Sequence, residues 1–381
     1  MSRTLILGGG FGGLAVAYEL RRLAGDEHEI VLVDRAPEFS MGLRKLWELV
    51  GHSTIAEGSR PRAAVRDHGV RFVEDAVTAV DPEARSALVG GDWIAADYVV
   101  VALGAEPRPD LVPGLAEHGH DVWEAVAVGA AAERLAELSS GRVAILIAGV
   151  PYTCPPAPYE CAMLVDEVLR VRGVRDVTEL SVATVQPLLM PNAGKEGSDW
   201  IAERLRARGI EFAVGRQVER VERERVVFAD GELEFDLLIG VPPHRVPPVV
   251  ADSDLAGERG WVSVDRATLA TRFRGIYAIG DVTQIVLANG LPLPKAGIIA
   301  EREGLRVAAA IAADEAGDSL PPAFDGRGFC FVEVGTGEAA LVEGDFFADP
   351  EPHVELSAAS SAHADEKRRF EAERLERWFG R

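Results

Sequence analysis

Two of the three cysteines in this sequence flank a turn that is unusually rich in proline. Cys154 and Cys161 lie in "VPYTCPPAPYEC", between the apolar run "RVAILIAG" and the helical pattern "AMLVDEVLRV". Pro158 suits the first turn of that helix, and a helix N-terminus favours the thiolate, so we expect Cys154 to have a lowered pKa. Cys330 is the natural second thiol. Cys161 is interpreted as a buried small hydrophobic residue; the alternatives are a sulfur relay for Cys161 and a core role for the other two.

A glycine-rich turn near the N-terminus has the spacing of a dinucleotide site. In "LILGGGFGGL", Gly8 permits a tight turn, Gly10 lets the backbone approach a pyrophosphate, and Gly13 lets helix and strand pack closely. The helix N-terminus offers free N–H groups to the phosphates. Asp34 ends the next strand about 20 residues further on, where a carboxylate can bond a ribose hydroxyl. The turn therefore predicts dinucleotide binding.

Two later segments extend this site. "GIYAIGDV" contributes Gly280, which allows close approach to a ligand, and Asp281, which can accept from a ribitol hydroxyl. "DYVVVALGAEP" contributes a crossover at Ala102 and Gly104. The three segments together resemble the flavoproteins with two dinucleotide-binding domains, in which all three line FAD. The alternative is that they are ordinary strand ends in a plain NAD-binding domain.

The proline-rich turn lacks what a nicotinamide dinucleotide needs. It retains Gly149 but none of the later glycines, and its prolines have no N–H to offer a phosphate. The following strand, "ELSVATV", ends at Gln186 and not at an acid that could bind the ribose. We therefore expect a second nucleotide fold without a nicotinamide site, and electrons that enter through a thiol.

The elements around these residues alternate between apolar strands and helices, which is typical of parallel sheets covered on both faces. The predicted fold class is α/β, with two Rossmann-like dinucleotide-binding domains, the second inserted in the first, plus a C-terminal segment. Pro-rich breaks fall at Gly104–Gly114 and Gly240–Val250, and with a further boundary after 320 we expect four parts. The predicted parts are the FAD-binding domain (1–108), an NAD-binding-like domain (109–244), the rest of the FAD-binding domain (245–320) and a C-terminal interface or acceptor-side segment (321–381).

Composition excludes several function classes. A formal net charge of −21 argues against nucleic acid and against electrostatic docking on anionic lipid. No apolar run approaches the roughly 18 residues of a membrane span, and no export signal is visible at the N-terminus. With three cysteines, a structural disulfide framework is not expected. We expect a cytoplasmic protein.

Several motifs resemble one family, the sulfide:quinone oxidoreductases and the flavoprotein subunits of flavocytochrome c sulfide dehydrogenase. The similarity covers most of the chain. The motifs are "GGGFGGL", "YTCPPAPYE", "FDLLIGVPPHRVPPVV", "GWVSVD", "GIYAIGDVT", "LPLPKAGIIAE" and the cysteine in "GFCFVEVG". "YTCPPAPYE" is closest to the flavocytochrome subunits, whereas "VPPHRVPP" and "LPKAG" are similar to both branches.

This resemblance implies roles for individual residues. Cys154 and Cys330 would flank the flavin as a redox disulfide that sulfide attacks to form a persulfide, after which the remaining thiolate passes two electrons to the flavin. Lys295 would lie near flavin N1 and O2, where a cation stabilises the reduced anionic form. Glu160 would handle protons, or equally be an acid at a helix start. The predicted cofactor-binding residues are Gly8, Gly10, Phe11, Gly12, Gly13, Asp34, Arg35, Ala102, Gly104, Gly280, Asp281, Lys295 and Ala296.

The sequence also departs from the family. The segment "FSMGLRKLWELVG" after Asp34 has no cysteine, so FAD is expected to bind non-covalently. No C-x-x-C-H is present, so a haem would belong to another chain, and no metal site is expected. A third working cysteine between 104 and 150 is missing. The last helix places Phe370, Leu375, Trp378 and Phe379 on one side, either on a membrane, at the inner face, or on the protein's own flavin domain.

These observations predict an FAD-dependent enzyme that oxidises sulfide, or a small thiol or persulfide, through a cysteine pair and passes electrons to a quinone. We expect a homodimer. The alternatives are delivery to a cytochrome partner, a type II NADH dehydrogenase-like enzyme, and a non-catalytic flavin and thiol redox sensor.

Overall fold

A computed structural model describes residues 2–380 and contains two parallel sheets. The three central strands of the first sheet are nearly all buried, because helices and loops cover both faces. Helices α1 (Phe11–Ala24) and α8 (Gly297–Ala316) pack against each other beside it. In spatial order the strands are β20 (Ile276–Ala278), β9 (Tyr98–Val101), β1 (Arg3–Leu7), β2 (Glu29–Asp34) and β5 (Arg71–Glu74).

The second sheet has the same architecture and comes from the middle of the chain. In spatial order its strands are β11 (His120–Asp121), β18 (Leu237–Val241), β12 (Gly141–Ile147), β13 (Thr178–Thr184) and β14 (Glu211–Ala213). All its neighbouring strands are parallel. Its helices are α4 (Ala125–Glu137), α5 (Ala157–Val171) and α6 (Gly194–Ala207).

These two sheets confirm the predicted α/β class with Rossmann-like cores. Strand β20 joins the first sheet although it follows the whole second sheet in the sequence. The chain therefore leaves the first sheet, builds the second and returns. The boundaries at 108, 244 and 320 stay a prediction.

Short antiparallel pieces and helices complete the fold. The paired or three-stranded pieces are β3 (Glu38–Phe39) with β4 (Arg60–Pro61); β6 (Val77–Asp81), β7 (Ser86–Val89) and β8 (Asp92–Ala95); β10 (Glu106–Pro107) with β19 (His244–Arg245); β15 (Val218–Glu222), β16 (Arg225–Phe228) and β17 (Gly231–Glu234); and β21 (Arg327–Gly335), β22 (Glu338–Asp345) and β23 (His353–Leu356). The other helices are α2 (Leu43–Leu49), α3 (Leu115–His118), α7 (Pro248–Ala251) and α9 (Ser361–Phe379).

The C-terminal helix α9 packs on the domain of the first sheet. Trp378 is buried, and its ring meets Phe11 and Phe39 edge-on, with centroids 5.4 and 5.6 Å away. Leu375 and Phe379 are buried in the same cluster. The apolar side of α9 is therefore covered by this chain itself, which favours packing on the protein over the predicted alternative of a membrane contact.

Within residues 2–380 we find no helix that combines the length and the apolar character needed to cross a membrane.

Candidate active site

A cavity of about 570 Å³ opens at the carboxyl ends of the first sheet's strands. In open α/β sheets this edge is where ligands bind. Most residues predicted from sequence to touch the cofactor or to react do line this large cavity: Gly10, Phe11, Gly12, Ala102, Gly104, Cys154, Glu160, Gly280, Asp281, Lys295, Ala296 and Cys330. The tertiary structure thus brings together residues from five segments of the chain: 10–12, 102–104, 154–160, 280–296 and 330.

The first glycine turn leaves the N-terminus of α1 open towards the large cavity. Gly10 caps the helix without a side-chain hydrogen bond, and the first intrahelical bond runs from Leu14 N–H to the Gly10 carbonyl, at 2.9 Å. The preceding N–H groups have no intrahelical acceptor. A Cβ on Gly10 would meet no atom within 4 Å, so it would extend into free space in the cavity. This turn can accept an anionic group against the backbone.

The other two glycines of the motif serve packing. Gly8 has a φ of 105°, and a Cβ there would lie 2.2 Å from the Ala102 carbonyl oxygen. A Cβ on Gly13 would lie 1.9 Å from the carbonyl oxygen of Gly8. Neither position tolerates a side chain, because the obstructing atoms belong to the backbone. Gly8 and Gly13 therefore shape the turn and do not line the large cavity.

Asp34 and Arg35, both predicted to bind the cofactor, lie in different surroundings. Asp34 lies beside the glycine turn, where its carboxylate accepts from the N–H groups of Gly9, at 2.7 Å, and Ala36, at 2.8 Å. The Arg35 guanidinium points elsewhere and pairs with Glu106 at 2.9 Å on the surface. Neither residue lines the large cavity, and the structure does not bring Arg35 to it.

Asp281 and Lys295 form a buried polar wall. The Lys295 ammonium donates to the carbonyls of Asp281, at 2.7 Å, and Thr283, at 3.0 Å, and lies 3.7 Å from the Trp261 ring centre. Burial lowers the pKa of Lys295 to about 8, although Asp281 and Glu303 oppose this. Burial also raises the pKa of Asp281. The lysine, 6% exposed, is a cavity residue and not a surface one.

The donor set in this cavity fits FAD. Among residues 2–380, the buried Oδ1 of Asp281 has no hydrogen-bond partner, so it can accept from a ligand hydroxyl such as those of ribitol. The open N-terminus of α1 suits a pyrophosphate. Both groups can bond to a flavin dinucleotide, and the protein's own residues do not satisfy the hydrogen-bonding capacity of either group.

The two thiols that are predicted to react lie between the large cavity and a second, smaller pocket. Cys154 and Cys330 line the large cavity and also a small apolar pocket of about 60 Å³. Pro155, Met190 and Phe329 help to form this small apolar pocket. In the part of the chain that the structure describes, all three cysteines are free thiols. The predicted pairing of Cys154 with Cys330 therefore stays a prediction.

The expected lowering of the Cys154 pKa is wrong for this structure. Burial and, to a smaller extent, the Glu160 carboxylate raise the pKa of the Cys154 thiol to about 12, although Lys367 opposes both. The helix α5 begins at Ala157, so Cys154 lies before its first turn, where the effect of a helix dipole fades. Burial likewise raises the pKa of Cys330 and of Cys161. Cys161 is fully buried, as predicted.

A buried charge cluster, which the sequence analysis missed, lies beside the thiols. The Lys367 ammonium, on α9, donates to the carboxylate of Glu160 and lies 2.8 Å from that of Glu333. Trp47 donates its indole N–H to Glu333 at 2.6 Å. Burial and, to a smaller extent, Glu333 raise the pKa of Glu160 to about 7, although Lys367 opposes both. Glu160 is thus a proton-exchanging group at neutral pH.

Three further cavity residues were also missed. Arg62, Lys45 and Trp123 line the large cavity, and burial lowers the pKa of both cations. Arg62 donates to the Gly9 carbonyl at 3.0 Å. The available signal for the two cations was their basic side chains, with Lys45 within "LRKLWEL" and Arg62 after it. Nothing in the spacing of these residues marks them as facing inward.

The turn before α5 is closed by the protein's own groups. Tyr152 donates its hydroxyl to the Gln186 side chain, at 3.2 Å, and to the Pro155 carbonyl, at 3.1 Å. The Ala157 N–H donates to the Cys154 carbonyl at 2.9 Å, and Pro158, the next residue, has no N–H. The start of this helix offers little to a phosphate.

The fold and the open glycine turn define a dinucleotide-binding oxidoreductase with a thiol pair beside its cavity. The comparison with protein families agrees: the family described as "Pyridine nucleotide-disulphide oxidoreductase" matches this chain over residues 2–310. The chain belongs to this family.

Within the family, the similar proteins include sulfide:quinone oxidoreductases. The mitochondrial sulfide:quinone oxidoreductase of Dictyostelium discoideum is 28% identical over 309 residues, which cover 75% of this chain and 66% of that protein. The sulfide-quinone reductase of Aquifex aeolicus is 27% identical over 378 residues, covering 91% and 83%. The solved sulfide:quinone oxidoreductase from Aquifex aeolicus has a TM-score of 0.89 at 24% identity, covering 100% of this chain and 92% of that one.

Proposed function

We propose that this protein is an FAD-dependent oxidoreductase that oxidises sulfide, or a small thiol or persulfide, at Cys154 and Cys330 and passes the electrons to a quinone. The observation that carries the proposal is the position of these two thiols, which line both the large cavity and the small apolar pocket. A thiol pair between a flavin site and a second opening can receive a sulfur substrate from one side and deliver electrons to the other. The sulfide:quinone oxidoreductases among the similar proteins support this assignment.

Three parts of the large cavity provide the main contacts for FAD in this proposal. The N–H groups after Gly10 bind the pyrophosphate, the free oxygen of Asp281 accepts from a ribitol hydroxyl, and the Lys295 ammonium provides positive charge. When bound, the flavin would supply a two-electron acceptor. Once the persulfide had passed its outer sulfur to a second sulfur nucleophile such as hydrosulfide, the two cysteine thiolates would be re-oxidised to the disulfide. The segment "FSMGLRKLWELVG" after Asp34 has no cysteine, which supports non-covalent binding.

The chain's own residues carry the sulfur step. Hydrosulfide attacks one sulfur of the Cys154–Cys330 disulfide, so that a new S–S bond forms as the old one breaks. One cysteine becomes a persulfide and the other leaves as a thiolate, and the sulfur of the substrate is oxidised as the disulfide is reduced. Glu160, whose pKa is raised to about 7 by burial, takes the proton that the sulfur nucleophile loses, and Lys367 holds this carboxylate in place.

The closed turn before α5 supports a quinone and not a nicotinamide as the redox partner. A type II NADH dehydrogenase must hold NADH at this second domain, where Tyr152 and Gln186 bond each other. Delivery to a cytochrome partner, a homodimer and a cytoplasmic location at the inner face of a membrane remain predictions from the sequence.

An anaerobic titration of the purified yellow holoprotein tests the proposal. Sulfide should bleach the flavin absorbance far faster than millimolar NADH does, and a Cys330→Ser variant should not respond to sulfide. If NADH bleaches the flavin within milliseconds, the dehydrogenase alternative holds.

Repeated turnover then separates an enzyme from a redox sensor. With sulfide and a soluble quinone in excess over protein, we expect many quinones to be reduced per flavin. A single stoichiometric reduction followed by no further reaction would favour the sensor.

A further inference from the structure

The backbone of Cys154 is held in an unfavourable conformation. Its φ is 57°, in the left-handed region that is unfavourable for a residue with a Cβ. On one side the loop is tied to the flavin-domain segment, because the Cys154 N–H donates to the Lys295 carbonyl at 2.7 Å. This contact sets the cysteine beside the cavity wall that Lys295 forms.

A tryptophan ties the same loop from the other side. The Trp123 indole N–H donates to the Thr153 carbonyl, the group that immediately precedes Cys154, at 2.9 Å. Trp123 is 8% exposed, and its own carbonyl accepts a hydrogen bond from the Lys45 ammonium on α2. The bonds therefore run from Lys45 through Trp123 to Thr153, and all of these residues line the large cavity.

This chain of bonds adjoins the charges that face the thiol. Glu160, Lys367 and Asp281 act on Cys154 electrostatically, and Cys154 in turn acts on Cys330. Lys45, in turn, interacts with Cys154, Glu124 and Asp121.

We propose that Trp123 is a positioning residue for Cys154: its indole N–H, held in place by Lys45, keeps the loop in the left-handed conformation that presents the thiol to the flavin cavity. The physical reason is that an unfavourable backbone conformation persists when contacts on both sides determine it. Lys295 supplies one contact and Trp123 the other. The expected effect of Trp123 on catalysis rests on the proposed function, whereas its expected effect on the conformation of the loop does not.

The test compares Trp123→Phe with the matched control Trp93→Phe in the reduced, flavin-loaded protein. Phe keeps the ring and removes the donor, whereas Trp93 is an exposed residue away from the cavity. Peptide mapping measures the iodoacetamide reaction at Cys154, with FAD occupancy, Tm and the kcat and KM for sulfide beside it. A relaxed loop should expose the thiol and misplace it.

We expect Trp123→Phe to alkylate Cys154 several-fold faster while its kcat falls about tenfold, or about 1.4 kcal/mol. KM, FAD occupancy and Tm should stay near wild type, as should every value for Trp93→Phe. A purely structural role would lower occupancy, Tm and kcat together. Wild-type alkylation and kcat in Trp123→Phe would overturn the inference. An inactive wild type would refute the proposed function, while the alkylation comparison would still decide whether Trp123 positions the loop.

Lys45 provides a second pair of variants if Trp123→Phe does not fold. Lys45→Gln and Lys45→Met carry the same charge, but Gln keeps a donor for the Trp123 carbonyl. Cys154 should be alkylated about threefold faster in the Met variant than in the Gln variant, as expected for one lost hydrogen bond. Equal rates in the two variants would contradict the proposal.

Discussion

The two strand–turn–helix units, β1 with α1 and β12 with α5, share a topology but differ at the turn. In the first unit the helix begins after Gly10, no side chain caps it, and its first N–H groups face the large cavity. In the second the helix begins after Pro156, and the Ala157 N–H is already bonded to the Cys154 carbonyl. Tyr152 and Gln186 close what remains of the second turn.

This difference shows how one fold can carry two kinds of chemistry. Free N–H groups at a helix N-terminus bind a phosphate, so the first unit is suited to a dinucleotide. Prolines remove those donors but stiffen the loop, so the second unit can hold a thiol in a fixed place. The second domain has thus kept the Rossmann architecture while its turn carries Cys154.

The largest expected effect is loss of the cofactor from the first turn. Gly10→Val should abolish FAD loading, because its side chain would occupy the space the pyrophosphate needs, and flavin absorbance of the purified protein measures this. The Tm of the apoprotein should not change, since a Cβ at this position meets no protein atom within 4 Å. Normal flavin content in this variant would show that the open turn is not the cofactor site.

The two thiols, Cys154 at the second turn and Cys330 on β21, should be needed for turnover but not for FAD binding. Cys154→Ser and Cys330→Ser should each lower sulfide-dependent flavin reduction by about 100–1000-fold, or roughly 3–4 kcal/mol, while FAD stays bound. Stopped-flow absorbance measures the rate. The control Cys161→Ser should retain turnover and lose about 1 kcal/mol of stability. Full activity in Cys330→Ser, or a Cys154–Cys161 disulfide on peptide mapping, would refute the assignment.

Replacing Glu160, at the start of the second unit's helix, should slow flavin reduction by sulfide but speed up the alkylation of Cys154. Glu160→Gln should lower sulfide-dependent flavin reduction about 100-fold, because a proton acceptor is lost. Since burial raises the Glu160 pKa to about 7, the wild-type rate should fall as pH drops through 7, and the variant should lack this step.

The same substitution should speed up the iodoacetamide reaction of Cys154 at pH 8. The carboxylate of Glu160 raises the pKa of this thiol, so its removal increases the thiolate fraction. A variant that slows both reactions would indicate a general disturbance of the site and not the loss of a base.

The smallest expected effect is on stability at the second turn. Gly149→Ala should destabilise the protein by about 1–3 kcal/mol, because its Cβ would lie 2.7 Å from the Pro243 ring. Flavin content should stay normal, in contrast to Gly10→Val. Gly129→Ala, on an open face of α4, is the matched control and should stabilise by roughly 0.5–1 kcal/mol. Urea unfolding measures the stability of both variants. A Gly149→Ala variant as stable as the wild type would show that the closed turn can rearrange to accept the added Cβ.

The sequence predicted those parts of the site that are local. The spacing of Gly8, Gly10 and Gly13 between an apolar strand and a helix was enough to identify the first turn. The prolines around Cys154 were enough to predict a second turn without a phosphate site. Such features depend on backbone donors and glycine conformations, which neighbouring residues fix.

The tertiary structure alone decided the features that depend on distant contacts. Glu160 meets Lys367 on the last helix, and Trp123 bonds Thr153, pairs that no periodicity in the sequence links. The Cys154 pKa rises because the thiol is buried and lies near the Glu160 carboxylate, and burial is a property of the packed chain. The sequence alone determined which chemical groups are present, whereas folding determined which of them lie in contact and in what dielectric environment.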